Sequence, residues 1–364
     1  MVYNKEKIVA IIPAYEPPHS FIDYAKNLLK EIPNLIVVND GSEQTYQEIF
    51  DEIAKIEGCT LLSYPENHGK GYALKTAFEY CKQNFDSSFV FVTADCDGQH
   101  LIKDLLNVCK SAFNNPQALL LGARDFYAPN VPKRSKNGNI QTRRLFRFLY
   151  GMKLKDTQTG LRAFSYNLLD LLCKIKGERF EYEMNMLIQV NKKNIKIEET
   201  DITTVYEPKP DDVEKVSHYK TFTDSMRVLG VLLKNLGWYF VSSVLSSVLD
   251  VVAFYLFTRF VFTGQNIALH SFLATISARV LSSILNFTFN YKFVFNGKSK
   301  KSIFKYYILW SFQLGLSYLF AFVWSKIFNR AILITLFKGA MDLIVALFSY
   351  KIQQKWVFNE KKEK

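Results

Sequence analysis

Up to about Val216 the chain alternates short apolar runs with polar stops marked by Gly and Pro; from Trp238 onward it changes to long apolar segments separated by short basic ones. In the first stretch, residues 7–14, 35–38, 61–64, 89–93 and 118–121 read as strands, with helical patterns between them over 20–31 and from Lys70 through Cys81. Strands alternating with helices predict a mostly parallel sheet covered on both faces. The run from Phe89 to Ala94 is continuously apolar, as a strand buried on both faces should be, and it stops at Asp95 and Asp97 with Gly98, Gln99 and His100 behind them. Parallel sheets bind ligands at the carboxyl ends of their strands, so these acids stand where a ligand is expected.

In the second stretch four spans of about 20 residues can be drawn, at 238–260, 268–291, 303–324 and 331–350. The second and fourth end alike, in Lys292-Phe293-Val294-Phe295 and Lys355-Trp356-Val357-Phe358, at an offset of 63 residues. Two spans and one loop are thus repeated in parallel orientation. Asp250 and Arg279 sit mid-span, and the offset carries them onto Gln313 and Asp342. This predicts a polar layer near the membrane midplane, with Asp250 paired to Arg279 and Asp342 either joining them or pairing with Lys338. Lys292, Lys298, Lys300, Lys301 and Lys305 crowd the middle loop, and Lys351 and Lys355 follow the last span. The positive-inside bias puts that loop, the C-terminus and the first half of the chain in the cytoplasm. No secretory pattern is expected at the start, because Met1-Val2-Tyr3-Asn4-Lys5 leads straight into a strand-like run. The expected division is a catalytic domain over 1–219, an interfacial amphipathic helix over 220–237 and a membrane domain over 238–364.

Composition adds two exclusions. A net charge of +12 could serve nucleic acid, but the Lys and Arg residues cluster beside apolar segments, which suits an anionic membrane surface. The five cysteines, Cys59, Cys81, Cys96, Cys109 and Cys173, all lie in the first stretch, are odd in number and include no C-x-x-C, so disulfides and zinc are not expected.

Asp95 and Asp97, with Gln99 as a third oxygen, suit a hard cation such as Mg²⁺ or Mn²⁺ holding a diphosphate. The same residues also read as ordinary turn chemistry. Gly69-Lys70-Gly71 lacks P-loop spacing, yet a helix N-terminus carrying Lys70 can bind a phosphate. Arg143, Arg144 and Arg147 lie among large apolar residues between Gly138 and Tyr150, a pattern for a helix at the membrane interface. A second such helix is expected over 222–236. Asp156, Glu181 and Glu183 are the acids available as a base.

Five motifs come in one order: Ile12-Pro13-Ala14-Tyr15, Asn39-Asp40-Gly41-Ser42, Asn67-His68-Gly69-Lys70-Gly71, Asp95-Cys96-Asp97-Gly98-Gln99-His100 and Asp156-Thr157-Gln158-Thr159-Gly160-Leu161-Arg162. In these the first 220 or so residues resemble family 2 glycosyltransferases of the α/β GT-A (Rossmann-like) fold, in the polyprenyl-phosphate (dolichol-phosphate mannose synthase-like) branch. The resemblance implies that Pro13, Ala14, Tyr15, Glu16 and Asp40 line the nucleoside end of a nucleotide sugar, a UDP-sugar rather than GDP-mannose. It implies that Asp95, Asp97 and Gln99 hold the metal, and that Arg124, Arg134 and Ser135 meet phosphate or acceptor. It places Gln158 and Arg162 near sugar or acceptor, Glu181 and Glu183 at the back of the site, and Ser217 and His218 in a closing segment. Asn39 stands where the family carries an acid, and Glu16-Pro17 departs from its Asn-Glu. Processive members carry Gln-x-x-Arg-Trp, and this chain has only Gln353-Gln354-Lys355-Trp356. The second half resembles the GtrA family of four-span, all-α membrane proteins, which implies movement of lipid-linked sugars. The expected activity is transfer of one sugar to polyprenyl phosphate; a transporter or scaffold, a processive synthase and a homo-oligomeric assembly stay open.

Overall fold

A computed structural model describes residues 1–129, 131–205, 221–262, 267–295, 297, 299, 301–327 and 331–358. The chain divides into two compact units, Met1–Leu232 and Leu233–Lys364.

The first unit is built on a seven-stranded sheet. Its strands β1 (Ile8–Ala14), β2 (Asn34–Asp40), β3 (Cys59–Tyr64), β4 (Val90–Thr93), β5 (Leu119–Ala123), β6 (Arg162–Ser165) and β7 (Ile197–Asp201) lie in the order β3-β2-β1-β4-β6-β5-β7. Every residue of β1 and β4 is buried, as the continuous apolar runs require. β1 pairs in parallel with β2 and β4, β2 with β3, and β5 with β7. β6, however, runs antiparallel between β4 and β5, so the sheet is mixed rather than mostly parallel. The loop before β6 explains the reversal. Thr93 pairs with Arg162 and its hydroxyl donates to Gly160 O at 2.7 Å, so the chain enters β6 at the carboxyl edge and can only run back.

Alternate residues sort the core into two layers. Ile8, Ala10, Ile12 and Ala14 of β1 face helices α1 (Ser20–Leu29), α2 (Gln47–Ala54) and, further along, α4 (Ile102–Asn114). Those helices bury Phe21, Ala25 and Leu28, then Ile49, Phe50 and Ile53, then Leu105, Val108, Cys109 and Ala112, all at helical spacing. On the other face α3 (Lys70–Asn84) sets Phe78 edge-on against Phe164, which stacks on Phe91. The helices α5 (Lys133–Tyr150), α6 (Leu169–Cys173) and α7 (Glu181–Lys192) complete the unit.

The division between the units falls inside α8 (Thr221–Leu256). Within the first unit its opening turns bury Asp224, Val228 and Leu232 at i, i+4, i+8, and Tyr150 Oη donates to Leu232 O at 3.0 Å. Met226 is exposed on this stretch, and Val228 supplies the buried face.

The second unit continues α8 and adds α9 (Ile267–Phe289), α10 (Ser302–Ile327) and α11 (Ala331–Ile352). Among the described residues three helices are long and apolar enough to cross a membrane, in Thr223–Val261, Leu269–Val294 and Ser302–Trp324, which marks a membrane protein. α11 is a 22-residue helix where a fourth span is expected. α9 and α11 each run on into a five-residue π-helical turn, Asn290–Val294 and Gln353–Val357. The repeat read from sequence becomes an internal interface, since Asn290 Nδ2 donates to Gln353 Oε1 at 3.2 Å across 63 positions, and Phe295 stacks on Phe358 at 5.0 Å. Aromatic rings line the junction: Tyr239 packs on Phe295 and Tyr350, Tyr306 packs edge-on against Phe287, and Tyr306 shares a buried cluster with Phe358. Buried polar groups close the junction, with Ser242 Oγ donating to Asn290 Oδ1 (2.6 Å) and Tyr306 Oη to Asn286 Oδ1 (2.9 Å). Further along, Arg279 Nε stands 3.4 Å from Asp250 Oδ2, the expected pair, and Ser282 Oγ donates to Asp250 Oδ1. Asp342 accepts from Ser317 Oγ at 3.3 Å; the side chain of Lys338, its other expected partner, lies outside the described residues.

Candidate active site

β1, β2 and β4 end side by side, with Ala14 paired to Asn39 and Ala94 N–H donating to Ile11 O at 3.0 Å. The turns that leave them therefore gather at one edge. Pro13 and Ala14 are the buried end of β1. Glu16 adopts a left-handed φ of 46°, and its N–H donates to Ser42 Oγ at 2.8 Å. Asn39 Oδ1 accepts from Ser42 N–H, so the asparagine that replaces an acid holds this turn by a neutral hydrogen bond. Asp40 is buried and turned into the protein. Its carboxylate accepts from Tyr64 Oη, Asn67 Nδ2, His68 N–H and Gly69 N–H at 2.8–3.1 Å. Gly69 bends this loop with φ +105°, a conformation that costs other residues dearly, and delivers Lys70 to the first turn of α3.

Lys70 Nζ lies 2.7 Å from Asp95 Oδ1 and 2.9 Å from Glu183 Oε1. The second Asp95 oxygen meets His100 Nε2 at 3.2 Å. Burial opposes charge on Asp95, but Lys70 and His100 outweigh it and hold the carboxyl well below the usual range. Asp97 is raised instead, by burial and then by the Asp95 charge. Two acids that repel each other, at the open end of a strand, form a donor set that a hard cation relieves. Gly160 makes room for them, since a Cβ there would stand 2.6 Å from both Asp95 oxygens. Among the described residues no three His, Cys, Asp or Glu side chains cluster to cage an ion, so an ion on Asp95 and Asp97 needs further oxygens from a substrate. Gln99 contributes its N–H to Asp97 Oδ1 at 3.0 Å, and the neighbouring His100 is the residue on Asp95. Sequence reading stopped one residue short of it inside the same motif.

A second cluster surrounds Asp156, which is fully buried and accepts from Arg124 Nε (2.7 Å), Asn139 Nδ2 (3.0 Å) and Gln158 N–H (2.9 Å). An acid so occupied has no role as a free base. Arg162 is likewise buried: Nε donates to Thr159 O and Nη1 to Glu183 O, and Nη2 finds no partner among the described residues. It supports Glu183 from behind. Gln158 is exposed. Glu181 Oε1 accepts from Glu178 N–H and Arg179 N–H and so holds the turn ahead of α7. In α5 Phe146 and Leu149 are buried while Arg144, Arg147 and Phe148 are exposed; Arg143 donates to Tyr127 Oη at 2.8 Å and Lys136 Nζ lies over the same ring at 4.7 Å. Ser135 is half-buried in the first turn of α5; the side chain of Arg134 and all of Ser217 and His218 lie outside the described residues.

The first unit is thus a mixed α/β domain with an acidic, lysine-bridged site at its strand ends. The profile described as Glycosyl transferase family 2 matches residues 9–171. An uncharacterised protein of Methanocaldococcus jannaschii is 31% identical over 208 residues, covering 56% of this chain and 83% of that protein. The UDP-N-acetylglucosamine–dolichyl-phosphate N-acetylglucosaminyltransferase of Methanococcus voltae is 29% identical over 223 residues, covering 55% and 86%. Among solved structures, glucosyl-3-phosphoglycerate synthase from Mycobacterium tuberculosis superposes with a TM-score of 0.47 at 18% identity, covering 63% of this chain and 78% of that one. Residues 9–171 thus form a glycosyl transferase family 2 domain, and the protein is a glycosyltransferase.

Proposed function

We propose that the protein moves one sugar from a nucleotide sugar, a UDP-sugar such as UDP-glucose, to a polyprenyl phosphate, with inversion. The observation that carries this is the pair Asp95 and Asp97 at the end of β4, with Lys70 at a helix N-terminus facing Asp95. The relative from Methanococcus voltae, named for a UDP-sugar and dolichyl phosphate, supports the donor and the acceptor class. Asp95 and Asp97 are the residues to hold Mg²⁺ or Mn²⁺, which when bound neutralises the leaving diphosphate. The amide groups at the start of α3, together with Lys70, favour the same charge. A phosphate monoester is already largely ionised near neutral pH, its second pKa being about 6, so the acceptor needs no strong base. Asp40 acts through the Asn67–Gly69 loop that it holds, and Arg143 and Arg144 on α5 serve the phosphate-rich membrane surface.

The second unit, read as GtrA-like with α11 as its fourth span, anchors the enzyme with the catalytic unit and both termini cytoplasmic and aids movement of the lipid-linked product. Undecaprenyl phosphate is the acceptor if the source is bacterial. The test is incubation of the purified protein with labelled nucleotide sugars, Mn²⁺ or Mg²⁺ and a short polyprenyl phosphate. Solvent-extractable label that depends on the lipid and is lost with chelator is expected. Label in a water-soluble polymer would instead favour a processive synthase, and undiminished turnover without metal would sink the assignment of Asp95 and Asp97.

A further inference from the structure

The cation nearest the two acids belongs to the protein itself. Lys70 Nζ bridges Asp95 and Glu183 with 15% of its side chain exposed. Neither acid is free to retreat from it. His100 holds the other Asp95 oxygen and the backbone at Gly160 walls the carboxylate in, while the helix carrying Glu183 is tied to α3 by Tyr72 N–H donating to Glu178 O at 2.9 Å, just ahead of α7. An ion that ligates Asp95 must therefore share it with an ammonium group at 2.7 Å. Only the flexible four-carbon stem of the lysine can relieve that repulsion, and it needs another anion to go to.

We infer that Lys70 is a resident counter-ion that competes with the metal for Asp95 while no donor is bound, and that the donor diphosphate removes the competition by drawing the ammonium onto its own oxygens. Metal and nucleotide then bind cooperatively, and Lys70 couples them. The inference rests on the metal-dependent transfer proposed above.

The test uses the full chain in detergent, with Mn²⁺ binding followed by electron paramagnetic resonance, alone and with UDP. Lys70→Met should bind Mn²⁺ alone on the order of tenfold more tightly than wild type, and the gain in Mn²⁺ affinity that UDP brings should shrink by a similar factor, as linkage requires. Unchanged or weaker binding of Mn²⁺ alone by a folded Lys70→Met protein would overturn the inference while leaving the transfer reading intact. Failure of wild type to bind Mn²⁺ even with UDP would overturn both. A measurement on wild type guards against a variant that does not fold: acylation of Lys70, read by mass spectrometry, should rise on adding Mn²⁺ alone and fall again on adding UDP. Labelling that does not respond to Mn²⁺ also refutes competition.

Discussion

β2 ends on an aspartate and β4 is followed by one two residues on, at the same edge of the same sheet, and the two are engaged in different ways. Asp40 accepts from four groups of its own protein and is buried; it is a fastener for the Asn67–Gly69 loop. Asp95 touches one lysine and one histidine, leaves a third of its side chain open, and has a second acid two residues on. Asp156 sides with Asp40. The difference lies in how completely neighbouring donors fill the carboxylate oxygens. An acid with every lone pair used stabilises a loop, and one with oxygens to spare can take a cation.

Five substitutions would break or sharpen that contrast. The largest effect is expected from Asp156→Ala, which leaves Arg124 and Asn139 facing an empty, fully buried site; removing one partner of a buried pair costs about 3–5 kcal/mol, read as a fall in unfolding midpoint. A midpoint within a degree of wild type would show that Asp156 is not a fastener. Asp97→Asn should do the reverse, lowering sugar transfer by about 10²-fold or more at nearly constant stability, while Asp95→Asn, which also leaves Lys70 and His100 short of a partner, should match that loss of transfer. Comparable loss of stability in both sets would erase the distinction. Gly160→Ala pushes a methyl against the Asp95 oxygens and should weaken Mn²⁺ binding in the presence of UDP by roughly tenfold, since small displacements of a catalytic group are costly; normal affinity would mean that the carboxylate can move aside. The smallest change is expected in the second unit, where Asp250→Asn should cost only about 0.6 kcal/mol, the usual scale of polar contacts between membrane helices. Unfolding in detergent would measure it, and a loss of several kcal/mol would move Asp250 into the class of Asp40.

Much of this was legible beforehand because burial writes itself into composition. The strands β1 to β5 stand out as apolar runs that stop at polar turns, and Asp95 and Asp97 are marked by where β4 stops. β6 is hidden for the same reason in reverse: it is four residues long, opens on Arg162 and belongs to a polar motif. β7, Ile-Glu-Glu-Thr-Asp, is a half-buried strand paired only with β5, and its two glutamates disguise it. Which acids are filled could not be read at all, since the donors to Asp40 come from 24 to 29 residues away and Asn139 reaches Asp156 across 17. The 63-residue repeat was visible, and with it the pairing of Asp250 and Arg279. That Asn290 would meet its own counterpart was not, because an offset says which residues correspond and nothing about which ones touch.

That meeting has a consequence for what the two halves can become. If the hairpins were separate identical chains, the residue at Asn290 would face a copy of itself, and any change would arrive twice; likewise an arginine at position 279 would be matched by an arginine at the same depth. Joined in one chain, the halves are released from that obligation. Asn290 faces glutamine, and Arg279 has an aspartate for its twin in Asp342. Covalent linkage thus lets a repeated scaffold carry unlike charges at corresponding positions, so that its two hairpins present different chemistry to whatever lies beside them.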